Sequence, residues 1–73
     1  MIKPAIILES GRVVKVGDLI RLETTDRGAV VGRFVNAVMD VLATDRFNIR
    51  IVNEVNGNRE VINHRYIEQI LAY

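Results

Sequence analysis

The stretch Val16–Val38 most constrains the fold, because it holds two apolar runs separated by a short polar link. In the first run Ile20 and Leu22 alternate with charged residues, the period of a half-buried strand. The link ends in Gly28, which supplies the positive φ that a hairpin turn needs. Gly32, inside the second run, marks a sharp bend or a close backbone approach. We therefore predict a bent central hairpin within a small curved or closed β-barrel.

The size of the chain limits it to one small domain. Its 73 residues would bury only about 60% of the surface that the unfolded chain exposes. The sequence contains no cysteine, so neither a disulfide nor a thiolate metal site stabilises the fold. Small domains without such links often gain stability by oligomerising. Because 49% of the residues are hydrophobic, we expect part of the apolar surface to lie at subunit contacts.

The remaining segments predict further short strands on either side of the central hairpin. Residues 1–15 form an atypical N-terminal segment, either an extra hairpin across Ile6–Val14 or a short helix. Residues 39–46 are expected to form an extended loop, and residues 47–73 the C-terminal strands. Phe47–Val52 alternates cleanly between apolar and polar residues. Five or six short strands in one domain predict an all-β barrel.

Composition also restricts the function. The net charge of +1 excludes a strongly basic nucleic-acid binder, although eight of the ten cationic residues are arginines, which suit stacking and phosphate contacts. One histidine and no cysteine leave no nucleophile–base constellation, so we expect no enzyme, metal site or cofactor. No segment has the length of a membrane span or the form of a signal peptide, which predicts a soluble cytoplasmic protein.

From Asp18 onward the chain resembles the Sm-like (LSm) proteins. The turn Asp26-Arg27-Gly28 and the following Gly32 match the spacing of the first family motif. Phe47–Ile51, with Asn48 inside it, is similar to the Met-Asn-Leu-Val-Leu segment of that motif. Val61–Ile70 follows the apolar spacing of the second motif. The resemblance implies a strongly bent five-stranded SH3-like barrel that assembles into rings and binds single-stranded RNA.

Three departures from the family pattern affect the expected site. The loop between Gly32 and Asn48 is longer than usual in the family. The family aspartate that lies four residues before the asparagine would fall on Thr44, whereas Asp45 is one place later. The Arg-Gly pair of the second motif is replaced by Asn63-His64. The implied fold and ring depend less on these positions than the implied RNA pocket does.

Residues in two loops are the candidates for RNA binding. Asn48 can read a base edge with one donor and one acceptor, and the matching family asparagine lines the pore and contacts a uracil-type base. His64 can stack on a base, and Arg65 can stack or hold phosphate. Alternatively, the asparagine hydrogen-bonds its own loop, the His64–Arg65 pair has a capping role or bonds at an interface, and Arg46 pairs with Asp45 or Asp40. The predicted RNA-binding residues are Asp45, Arg46, Asn48, Asn63, His64 and Arg65.

Unpaired strand edges invite assembly. We place the two edges at Phe47–Val52 and at the last strand, Tyr66–Leu71. Pairing between two different edges is heterologous and closes into a ring, and the resemblance implies roughly five to seven identical subunits. The leading hypothesis is a ring that binds U-rich or A-rich single-stranded RNA as a chaperone or scaffold. The alternatives are an oligomeric protein-interaction module without RNA binding and a monomeric OB-type barrel that binds nucleic acid.

Overall fold

The computed structural model describes residues 1–40, 42 and 45–73. In these residues the chain forms eight strands, one 3-10 helix and no α-helix. The strands are β1 (Ile2–Lys3), β2 (Ala5–Ile7), β3 (Val13–Lys15), β4 (Leu19–Thr24), β5 (Gly28–Met39), β6 (Phe47–Asn53), β7 (Arg59–Asn63) and β8 (Ile67–Ala72). The 3-10 helix, His64–Tyr66, lies between β7 and β8. The predicted all-β class is therefore confirmed.

Most of the strands form one antiparallel sheet. Its order is β7-β6-β5-β4-β8, and β1 pairs with β5 outside this path. The long strand β5 pairs with β4 over its first half, from Gly28 to Arg33. It pairs with β6 over its second half, from Gly32 to Met39. The predicted central hairpin is thus β4–β5, and β5 is the strand that connects the two halves of the sheet.

Gly32 lies where the strands on both sides of β5 overlap. It pairs with Ile20 on one side and Asn53 on the other. A Cβ atom at this position would lie 2.7 Å from the backbone oxygen of Val52, so no side chain fits without movement of β6. The β5–β6 register shifts between Phe34 and Asn36, an irregularity that bends a strand. The predicted close backbone approach at Gly32 is confirmed.

The core consists of aliphatic side chains and one phenylalanine, drawn from both halves of the sheet. Alternate residues of β4, β5 and β6 point into it, as the period of two predicts. Phe34, Ile20 and Leu22 are among its largest fully buried side chains. The buried set is Val14, Ile20, Leu22, Val30, Phe34, Ala37, Ile49, Ile51 and Ile62. A core of this size leaves several large apolar side chains exposed, Val61 and Leu71 among them.

The sheet has two open edges, and one of them differs from the prediction. Phe47–Val52 lies in β6, which pairs with β5 on one side and β7 on the other, so its placement at an edge was wrong. After the turn around Gly57 the chain forms β7, which pairs with the outer edge of β6. The ends of the β7-β6-β5-β4-β8 path are β7 and β8, so the predicted edge at the last strand is confirmed. Because these two strands do not pair with each other, the sheet is not closed into a barrel.

The N-terminal segment contains a hairpin, one of the two predicted alternatives. Strands β2 and β3 pair antiparallel, with Ile6 opposite Val14 and Ile7 opposite Val13. Val14 is fully buried in the core and Ile6 packs against it, so one face of the hairpin covers the main sheet. The opposite face carries Ile7, which is 75% exposed.

The predicted loop at residues 39–46 begins one residue later, because Met39 is still part of β5. The loop is closed by a backbone hydrogen bond from the Asp40 N–H to the Arg46 carbonyl oxygen, 2.9 Å long. Val41, Ala43 and Thr44 lie outside the described residues, and with them the family position that falls on Thr44. No helix in the described part of the chain is long and apolar enough to cross a membrane.

Candidate functional site

Five of the six predicted binding residues line a single pocket at one end of the sheet. The β6–β7 register places Asn48 directly opposite Asn63, and the 3-10 helix that follows brings His64 and Arg65 to the same end. Arg46 reaches the pocket from the loop before β6. The pocket has a volume of about 590 Å³, and its lining residues are Val38, Met39, Asp40, Arg46, Phe47, Asn48, Asn63, His64 and Arg65.

Two asparagines on neighbouring strands form the centre of the pocket. The Asn63 Nδ2 donates a hydrogen bond to the Asn48 Oδ1 at 3.0 Å. The Asn63 Oδ1 accepts a 3.0 Å hydrogen bond from the backbone N–H of Arg65. Asn63 is the N-cap of the 3-10 helix, so the residue that positions Asn48 also begins the turn that carries His64.

These contacts fix the orientation of both amide groups. A backbone N–H can only donate, so the Asn63 oxygen must face Arg65 and its NH2 group must face Asn48. Asn48 then presents its oxygen to Asn63, and its own NH2 group has no hydrogen-bond partner among the described residues. The pocket therefore contains an amide donor that a ligand can use.

His64 is held against the first residue of β6. The His64 Nδ1 lies 3.3 Å from the Phe47 backbone nitrogen and 3.2 Å from the Phe47 oxygen. The two rings are tilted by 39° with centroids 5.5 Å apart. One ring nitrogen of His64 is thus occupied by the backbone of β6. The other, Nε2, has no partner among the described residues and can contact a ligand.

Arginines give the pocket its positive charge. The ion pairs within the described residues lie elsewhere and are Arg21–Glu23, Arg27–Glu60 and Arg33–Glu54. Arg46 and Arg65 belong to none of them. Asp40 also lines the pocket, but its Oδ1 accepts the backbone N–H of Leu42 at 2.8 Å. Asp40 thus supports its loop, and its carboxylate offsets part of the positive charge of Arg46 and Arg65.

The pocket differs from the sequence prediction at several positions. Asp45 is exposed and is not among the lining residues. The Asn48 side chain is hydrogen-bonded to Asn63 on the adjacent strand. The alternative interpretation, a hydrogen bond to its own loop, is not what the structure has. Phe47, which the alternation predicts as core, also lines the pocket and holds His64. Its position beside Asn48 is the only sequence signal for that role.

A second polar cluster lies at the opposite end of β7 and joins three parts of the sheet. Glu60 accepts hydrogen bonds from Asn53 and from Arg27, each 2.6 Å long. The Asn53 hydrogen bond, and after it the Arg27 contact, lowers the pKa of the Glu60 carboxyl. This cluster ties the β4–β5 turn to β6 and β7.

The pocket is suited to hold an anionic, planar ligand. Its available groups are an amide donor, an imidazole and two guanidinium groups, which together hydrogen-bond, stack and contact phosphate. Among the described residues, no group of three or more His, Asp or Glu side chains is arranged to hold a metal ion. Comparisons of the chain with protein-family models, curated proteins and solved structures gave no match.

Proposed function

We propose that the protein is an Sm-like domain that forms a homo-oligomeric ring and binds single-stranded U-rich or A-rich RNA, as a chaperone or scaffold. The proposed fold is the bent five-stranded SH3-like barrel that the family resemblance implies, completed by assembly. The observation that carries this proposal is the meeting of Asn48, Asn63, His64, Arg65 and Arg46 in one pocket. Those residues come from the two ends of the β6–β7 hairpin, and the strand register brings them together.

Assembly is supported by the two open edges of the sheet. Val61 on β7 is 62% exposed and Leu71 on β8 is 38% exposed, and each points away from the core side of its strand. Ile62 and Ile70, on the opposite faces, belong to or pack against the core. Pairing β7 of one copy with β8 of the next would place Val61 beside Leu71 on the outer face of the joined sheet. Ile62 and Ile70 would then lie side by side on the core face, and the core would continue from one copy into the next. The two edges differ, so repeated pairing is heterologous and closes into a ring where the rotation between copies allows it; the family resemblance implies roughly five to seven copies.

A groove beside β8 supports the same contact. It has a volume of about 880 Å³ and runs between β8 and β2. Its apolar floor includes Ala37, Phe47 and Ile49. A strand added to β8 would cover this floor, and burial of apolar area is the main driving force of association. Sedimentation equilibrium at micromolar concentration is expected to give an oligomer, and a monomer would contradict ring assembly.

RNA binding is assigned to the groups of the pocket that have no intramolecular partner. The Asn48 NH2 group donates to an acceptor on a base edge. His64 and Arg65 offer flat groups on which a base stacks, and Arg46 contacts phosphate. A ring would bring several such pockets together, so that one RNA strand contacts more than one subunit.

The test is titration of short labelled oligo-U and oligo-A by fluorescence anisotropy at stated salt. Asn48→Asp keeps an acceptor for Asn63 but removes the amide donor and adds a negative charge. It is expected to weaken binding by about 2- to 13-fold from the lost hydrogen bond alone, and further by repulsion. Asn58→Asp is the matched control, because it adds the same charge in the distant β6–β7 turn.

Two results would contradict the proposal. One is oligonucleotide binding that bulk tRNA competes away completely. The other is specific binding on which Asn48→Asp has no larger effect than Asn58→Asp. Circular dichroism and sedimentation of both variants establish that the fold and the assembly are retained.

A second candidate function is an oligomeric protein-interaction module without RNA binding. The net charge of only +1 and the exposed Ile7 and Val13 on the outer face of the N-terminal hairpin favour it. Under this alternative the ring forms, no oligonucleotide binds above the tRNA background, and a specific protein binds. A monomer that binds RNA would instead indicate the OB-type alternative.

A further inference from the structure

We propose that the outer face of β6 and β7 carries a second contact surface for the same RNA strand, in which Arg50 and Arg59 bind phosphates. We call this surface the arginine face and define it as Arg50, Val52, Arg59 and Val61. It continues from the pocket along the sheet, so the inference rests on the proposed function and extends the binding site of that function.

The strand register determines the layout of the arginine face. Asn48 and Asn63 form the row at the pocket, Arg50 and Val61 the next, and Val52 and Arg59 the third. Alternate residues on a strand share a face, and the buried Ile49 and Ile51 between them show that Arg50 points outward. Successive rows lie about 6.6 Å apart along a strand. Arg59 is therefore about 13 Å from the pocket row by strand geometry.

The charges of this face are not neutralised within the described residues. Arg50 and Arg59 take part in none of the ion pairs recorded there. Glu60, next to Arg59, lies on the other face of β7, with Asn53 and Arg27. Glu54, just beyond β6, pairs with Arg33 at 3.4 Å.

Asn36 on β5, the residue opposite Arg50, confirms that this arginine is not bonded to its neighbour. The Asn36 Oδ1 is buried and has no hydrogen-bond partner among the described residues. The Arg50 guanidinium, an obvious donor for it, therefore does not satisfy it. Asn36 is also neutral, so it leaves the charge of Arg50 undiminished.

The composition of the arginine face favours a nucleic acid over an acidic peptide. Guanidinium groups pair with phosphate through two parallel hydrogen bonds, and the valines between the arginines offer apolar surface against which bases can lie. The face also continues into a pocket that contains an amide donor and an imidazole. The net charge of the chain is only +1, yet its positive charge is concentrated along one path. That path consists of the pocket and the arginine face, which adjoin and carry Arg46, Arg50, Arg59 and Arg65.

The experiment compares the salt dependence of two oligo-U lengths, a dinucleotide and about 15 nucleotides, the longer of which lies within the range of typical single-strand site sizes. Each phosphate contact on single-stranded nucleic acid contributes about −0.7 to the slope of log K against log salt. Arg50→Gln with Arg59→Gln is expected to reduce the slope for the long oligonucleotide by about 1.4. Between 50 and 200 mM salt this equals about sevenfold less loss of affinity than in the wild type. The dinucleotide has a single phosphate that stays within the pocket, so its binding is expected to stay unchanged.

The matched control is Lys3→Gln with Lys15→Gln, which removes the same charge from β1 and β3 and, like the arginine pair, breaks no ion pair among the described residues. An equal change of slope in this control would show a general charge effect and overturn the inference. An unchanged slope in the Arg50 and Arg59 variant would also overturn the inference. If Asn48→Asp still weakens binding of the short oligonucleotide in that case, the proposed function remains supported. If poly-glutamate displaces the long RNA at equal charge concentration, the face binds any polyanion and the inference fails. If the wild type binds neither oligonucleotide, the proposed function itself fails.

Discussion

Gly32→Ala tests the strand packing that bends the central hairpin. The added Cβ would lie 2.7 Å from the Val52 oxygen, whereas ordinary contact begins at 3.4 Å, so β6 must move by about 0.7 Å, the difference of these values. The atom in the way is backbone, which cannot rotate aside as a side chain does. Overpacking of this kind typically costs about 1–3 kcal/mol. We therefore expect the free energy of unfolding to fall by that amount.

The assay is urea unfolding followed by far-ultraviolet circular dichroism at a fixed protomer concentration, since assembly makes stability depend on concentration. With an m-value near 1 kcal/mol/M, the midpoint should fall by about 1–3 M. Gly57→Asn is the control, because a Cβ there meets nothing within 4 Å and asparagine tolerates a positive φ. A loss below about 0.5 kcal/mol for Gly32→Ala, no larger than an ordinary surface substitution, would refute the close approach of β5 and β6.

Three further predictions concern the acidic cluster, the hairpin turn and the open edge. The pKa of Glu60 is lowered from 4.5, so the ionised carboxylate stabilises the fold above that pH, and this stabilisation is lost as the pH falls through the folded-state pKa. In acid titrations the Glu60→Gln variant should therefore lose less stability than the wild type does. Thr24→Val leaves one N–H and one carbonyl of the β4–β5 turn without their side-chain partner, and chemical denaturation should show a loss of about 1–3 kcal/mol that Thr24→Ser restores. Val61→Lys places a charge on the β7 edge and should shift sedimentation toward monomers, whereas Val55→Lys in the adjacent turn should not.

The short-range features of the fold could be read from residue patterns. The alternation in Phe47–Val52, the polar link before Gly28 and the apolar runs around the N-terminal turn are local signals, and each corresponds to a strand or hairpin. Gly32 was informative because only the absence of a side chain permits so close a contact with a neighbouring strand. The position of β6 inside the sheet was not predicted, because the outer partner of a strand depends on tertiary pairing.

The same distinction holds for the candidate site. The two motifs identified Asn48 and Asn63, and antiparallel pairing of β6 and β7 places them face to face. Asp45 was included because it is one residue from a family position, yet in a loop a shift of one residue changes where a side chain points. The dual role of Asn63, as N-cap and as partner of Asn48, depends on the 3-10 helix after β7, which the apolar pattern did not predict. The arginine face became visible only with the register, which sets Arg50 and Arg59 on one side.

Native mass spectrometry with and without oligo-U tests the central claim most directly, because it reports subunit number and bound RNA together. We expect one closed oligomer of the roughly five to seven copies that the family resemblance implies, which retains oligo-U, and an Asn48→Asp variant of the same subunit number that retains less of it. A monomer at micromolar concentration, or an oligomer whose retention of oligo-U is the same with and without the Asn48 amide, would contradict the proposed function.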